Sequence, residues 1–150
     1  MINTSTFVYN SSKKFFEPIP QCSIWELQNS SGKFEYIDGY ISVQYFDYEL
    51  MGEQYHDDII FLWESIIIGL QIYFEKNYTT ISFPDTALEL ILKQLPKNQL
   101  LFSIDHRKEV LPATEFLNSL LSAADIFFNW TGEISQLDII SKMRKNLMKF

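Results

Sequence analysis

Between Asp57 and Asn77 the chain reads DDIIFLWESIIIGLQIYFEKN, and its apolar residues fall at helical spacing. Ile59, Leu62, Trp63, Ile66, Ile67, Leu70 and Phe74 recur every three or four positions, which puts them on one face of a helix. A stripe that wide has to be buried against other elements, so the segment reads as the main core helix. Asp57 or Asp58 can accept a hydrogen bond from a free N–H of the first turn, and Asn77 suits the end. The 150 residues make a single domain, 1–150, rich in apolar side chains (47 % hydrophobic, 16 % aromatic). Such a chain can bury a core without a metal or disulfide staple.

Before this helix the pattern changes to that of strands. The first twenty residues are polar and read as an irregular lead-in (1–20), with one strand at Thr6 to Tyr9. Ser23 to Leu27 suits a short strand, Asn29 to Gly32 is turn chemistry, and Phe34 to Ile37 reads as another strand. Asp38-Gly39 is the strongest hairpin signal, because a type I′ turn needs positive φ at both central residues. Tyr40 to Leu50 then reads as one long strand with apolar residues on both faces, as in the middle of a sheet.

After the helix, residues 87–94 fit either strand or helix by their letters. The turn Pro96-Lys97-Asn98 and the apolar run Leu100 to Ile104 favour a hairpin. Leu111-Pro112 opens a second helix, whose broad face carries Phe116, Leu120, Phe127 and Phe128 and which ends at Thr131-Gly132. A last helix covers about Ser135 to Lys149, and its cations Lys142, Arg144, Lys145 and Lys149 oppose the helix dipole at its C-terminal end. The fold class expected is α+β: a mostly antiparallel sheet with one long central helix and two C-terminal helices packed against it.

Charge narrows the function. The net charge is −7, so nucleic acid and anionic membranes are repelled and a basic partner is attracted. The acids are also unevenly placed. From Phe34 to Glu75 there are nine (Glu35, Asp38, Asp47, Glu49, Glu53, Asp57, Asp58, Glu64, Glu75) and no lysine or arginine. Surfaces ordinarily mix signs, since clustered carboxylates repel one another. One explanation is a docking surface for a basic protein, with Asp47, Glu49, Glu53, Asp57 and Asp58 supplying charge and Tyr48 and Tyr55 supplying contact area. The other is a solvated acidic face.

Catalytic chemistry has little support in the letters. Phosphate loops, dinucleotide fingerprints and nucleophile elbows are missing. If residues 53–57 were helical, Glu53, His56 and Asp57 would share a face and could hold a divalent metal as part of an enzyme, yet a third or fourth ligand with outer support is usual. First-turn acids at a helix N-terminus explain the same letters. His106 lies beside Asp105 in a loop. The single cysteine, Cys22, excludes an internal disulfide and suits a reducing compartment. No signal-peptide order and no membrane-length apolar run are seen, and the expected location is the cytoplasm. The reading is of no enzyme and no cofactor, with oligomeric state open and a self-associating accessory protein as a further alternative.

Taken in order, the run Asp38 to Val43, the acidic approach Glu53 to Asp58 leading to Trp63, the pair Leu88-Glu89-Leu90 with Leu100-Leu101-Phe102, and Val110-Leu111-Pro112 before Phe116 resemble small bacterial immunity proteins. Those are cytoplasmic antidotes of polymorphic-toxin and contact-dependent inhibition systems. The resemblance implies binding and neutralising a cognate basic toxin, often a nuclease, without catalysis.

Overall fold

A computed structural model describes residues 1–24 and 36–148. The expected α+β class is observed, as two antiparallel sheets rather than one. Strands β1 (Ile2–Asn10), β2 (Phe15–Pro18), β3 (Asp38–Tyr45), β4 (Tyr48–Met51) and the two-residue β5 (Asp57–Asp58) form the first sheet, in the order β2-β1-β3-β4 with β5 also on β3. Helix α1 (Ile59–Lys76) follows. The second sheet is a meander of β6 (Tyr78–Ser82), β7 (Glu89–Leu95), β8 (Gln99–Ile104) and β9 (Arg107–Pro112). Helices α2 (Ala113–Thr131) and α3 (Ile134–Leu147) close the described chain.

The long helix forms as its spacing dictates. Asp58 is the N-cap, its carboxylate accepting from the Phe61 N–H at 3.4 Å, and Asn77 ends the helix in the left-handed conformation. Leu62, Trp63, Ile66, Ile67 and Leu70 are fully buried in a core that both sheets line. The ring of Trp63 lies 6.1 Å from that of Phe127 on α2, and its indole N–H donates to Thr6 Oγ1 on β1. This places α1 on the inner face of the first sheet. Gly132 ends α2 at φ 82°. The hairpin of β7 and β8 turns at Pro96 to Asn98, as read from the sequence.

Four expectations are corrected. In the polar lead-in, the strand expected at Thr6 to Tyr9 is present but runs over Ile2–Asn10 as β1, Phe15–Pro18 adds β2, and β1 sits between β2 and β3. Polar letters hide the full length of β1 because its buried polar groups find partners. Asn10 donates to Glu17 Oε1 at 3.1 Å and accepts the Ser12 N–H at 3.0 Å, which closes the β1–β2 turn.

Asp38-Gly39 is not a turn but the start of β3, with Gly39 opposite Val8 and Asp57. Glycine is needed there for close approach: a Cβ would lie 2.5 Å from the Phe7 carbonyl oxygen and 2.9 Å from Ile59 Cβ. Tyr40 to Leu50 is not one strand either. It reverses at Phe46-Asp47, where Phe46 takes φ 55° and donates its N–H to the Met1 carbonyl. Finally, Arg107 to Pro112 forms β9, so α2 starts at Ala113, one residue after the proline. Ser23 to Leu27, Asn29 to Gly32 and Phe34 to Ile37 fall wholly or partly outside the described residues.

Candidate functional site: an aromatic and acidic sheet face

The acidic block does not form one surface. Asp57 is only 1 % exposed. Its carboxylate accepts the backbone N–H groups of Asp58 (2.6 Å), Asp85 (3.1 Å to each oxygen) and Thr86 (2.9 Å). Burial pushes the Asp57 carboxyl up, but these donors outweigh it and hold its pKa below the ordinary range. Asp58 is also buried, and here burial wins and raises the carboxyl. Both residues therefore leave the proposed contact set: one ties the 85–86 loop to the start of α1, the other caps α1.

Asp57 also leaves the Glu53/His56/Asp57 metal group. Residues 53–55 form a 3-10 turn and residue 57 a strand, so the shared helical face does not exist. His56 Nδ1 instead lies 2.9 Å from Asp38 Oδ1. Among the described residues no three His, Cys, Asp or Glu side chains are grouped to hold a metal ion.

The remaining nominees gather around β4 and the turn after it. Asp47 is exposed at the β3–β4 reversal, Glu49 is exposed on β4 opposite Gln44, and Glu53 is exposed at the start of the 3-10 turn. The Glu49 side chain folds over Gly52, where a Cβ would collide with its carboxylate. Tyr48 is exposed and donates from its hydroxyl to Glu109 Oε1 at 2.7 Å. That bond, with some burial, raises its phenol pKa. Tyr55 is only partly exposed and packs on the core. Among the described residues, Asp47, Glu49 and Glu53 form no ion pair with a lysine or arginine. Arg107, beside β4, spends its guanidinium on the backbone carbonyls of Glu49 and Leu50.

Beside these acids lies a feature that the sequence reading missed. Side chains alternate along β1, so Thr6 and Val8 face the core while Phe7 and Tyr9 face outward. Phe7 is directly opposite Tyr40 on β3, and Tyr9 opposite Phe16 on β2. The Phe7 and Tyr40 rings stack at 4.8 Å and 8°. Phe16 sets its ring edgewise to both Tyr40 (5.1 Å) and Tyr9 (5.2 Å), and the His56 ring lies 5.9 Å from it. All four aromatic rings are partly exposed. The Tyr40 phenol is raised by burial and then by Glu53 and Glu49, which places those carboxylates within electrostatic reach of it. The available signal was the alternation Thr6 to Tyr9 and the pair Phe15-Phe16, but only the β1–β3 register joins them to Tyr40.

Of the other acids, Asp38 holds His56 beside the rings, Glu64 and Glu75 are on α1, and Glu35 is outside the described residues. Tyr36 is pushed up to about 12 by burial and by Asp38, Asp85, Asp57 and Asp58. Glu64 is raised by burial, then by Glu133 and Asp58.

A separate cleft of about 630 Å³ opens between the ends of α1 and α3, the β7–β8 hairpin and the start of α2. Tyr73, Phe74 and Leu117 line it with carboxamides such as Asn77, Gln94 and Asn146. Among the described residues that line it there is no carboxylate, imidazole or thiol. No helix among the described residues is long and apolar enough to cross a membrane. No protein-family model matches the sequence, no curated protein matches it, and no solved structure matches the fold.

Proposed function

We propose that this chain is a non-catalytic binding protein of the immunity-protein kind, which blocks a basic protein by docking against the outer face of its first sheet. One observation carries the reading: Glu49 and Glu53 are exposed and form no ion pair with a lysine or arginine among the described residues, beside a cluster of four partly exposed aromatic rings. Acids left unpaired in this way attract a cationic surface and accelerate encounter with it. Rings that are already packed together lose little conformational freedom on binding, and aromatic side chains are the usual anchors of interfaces. The contact set is accordingly revised to Asp47, Glu49 and Glu53, with Phe7, Tyr9, Phe16 and Tyr40 added; Tyr48, opposite Tyr45 and bonded to Glu109, lies on the other face of β4 from Glu49.

The test is paired affinity capture from the native host, with wild-type chain and the Glu49→Lys/Glu53→Lys variant as baits. A basic protein retained by the first bait and lost by the second, with both baits equally folded, supports the proposal. A partner retained equally by both places the interface elsewhere. Under the toxin reading, the captured protein is toxic to cells and wild-type chain abolishes its activity.

A further inference from the structure

We infer that this face is built to receive arginine, rather than positive charge in general: a guanidinium of the basic partner packs on the Phe7–Tyr40 stack and pairs with Glu53 or Glu49. The inference rests on the docking reading above and adds the chemistry of the partner's anchor. Strand order supplies the geometry. Phe7 on β1 covers one side of the Tyr40 ring at 4.8 Å. The other side of β3 belongs to β4 and β5, with the 3-10 turn Glu53–Tyr55 between them in the chain and against β3. His56 adjoins Asp57 along that flank, and Glu53 and Glu49, which form no ion pair among the described residues, lie within electrostatic reach of the Tyr40 ring.

That combination separates the two basic side chains. A guanidinium is planar and weakly hydrated, so it stacks on a ring while its N–H fork pairs with a carboxylate. An ammonium is compact and strongly hydrated, and gains mainly from the carboxylate. A solvated acidic face would not discriminate between them. Cross-strand pairing also fixes the rings in advance, with Phe16 braced edgewise on Tyr40 and His56 held by Asp38.

Blocked hexa-arginine and hexa-lysine peptides, of equal charge, test this by calorimetric titration at low salt. Wild-type chain is expected to bind hexa-arginine about fivefold more tightly, a preference of the size that an exposed cation–π contact gives. Tyr40→Leu should remove the preference and leave hexa-lysine binding in place. Tyr40→Phe keeps the ring and should keep the preference. Glu49→Gln/Glu53→Gln should weaken both peptides. Because Tyr40→Leu can loosen the sheet, the ring proton resonances of Phe7, Tyr40 and His56 in the wild-type chain provide a second readout, and hexa-arginine alone should shift them strongly.

Equal affinity for the two peptides on wild-type chain overturns the arginine inference while the docking reading stands. So does a preference that survives Tyr40→Leu. If neither peptide binds, or if both bind equally well to Glu49→Gln/Glu53→Gln, the docking reading itself falls and takes the inference with it.

Discussion

Both oxygens of the Asp57 carboxylate lie 3.1 Å from the backbone N–H of Asp85, twenty-eight residues along the chain. This contact separates two kinds of acid that look alike in the sequence. Asp57 is buried and organises a loop. Glu49 and Glu53 are exposed and hold no described cation.

Asp57 and Asp58 should therefore respond oppositely to neutral substitution. Asp57→Ala leaves the N–H groups of Asp85 and Thr86 without their acceptor and should cost about 3 kcal/mol in urea unfolding. Asp58→Asn keeps a capping oxygen and removes a buried charge close to Asp57 and Asp85, so it should be neutral or stabilising. The Asp57 carboxyl titrates below its ordinary 3.8 in the fold. Its stabilisation is thus complete above that pH and is lost as pH falls through the lower, folded value. Urea midpoints measured from pH 5 to pH 2 should fall more in wild type than in Asp57→Ala, which keeps only the share of groups such as Glu17, also held below its ordinary range.

Gly39→Ala should destabilise by about 2 kcal/mol, since the added methyl runs into the Phe7 carbonyl and Ile59. A glycine serving as a turn would tolerate alanine poorly for another reason, positive φ, but Gly39 is not in that region. The side chain at Ile59 can tell the two apart: Ile59→Gly, which removes the Cβ at 2.9 Å and the Cγ1 at 3.2 Å, should partly relieve Gly39→Ala in a double-mutant cycle, whereas turn strain would add to it unchanged.

Arg107 joins β9 of the second sheet to β4 of the first through the Glu49 and Leu50 carbonyls. Arg107→Ala should lower stability by about 1 kcal/mol, modest because the site is exposed. Its larger effect should be local, as faster amide exchange in Tyr48 to Met51 with α1 unchanged. Uniformly faster exchange across the fold would contradict a local clamp.

The elements that the sequence announced are those whose order is local. Helix α1 is visible because its apolar residues repeat at one period over five turns, with Asp58 and Asn77 marking the ends. Of β1 only the middle, Thr6 to Tyr9, shows in the same test, and its full length does not. Its inward Thr6 and Asn10 are tolerated in the core through bonds to Trp63 and Glu17, and no periodicity reports a hydrogen bond to a residue 57 positions away. Asp38-Gly39 misleads because glycine answers two needs, a turn or a close approach, and only the position of Phe7 decides between them. The candidate site was half legible for the same reason. Charge counting finds Glu49 and Glu53, but it cannot see that Asp57 and Asp58 turn inward, or that β1 brings Phe7 beside Tyr40.

The central claim is that unpaired acids on this sheet face draw in a basic protein. Stopped-flow association of the wild-type chain with its captured partner, over a range of salt, tests it most directly. The account predicts a rate that falls steeply as salt rises, and a drop of about tenfold or more at low salt for Glu49→Lys/Glu53→Lys, with thermal unfolding unchanged. An association rate that ignores both salt and the two reversals would contradict it.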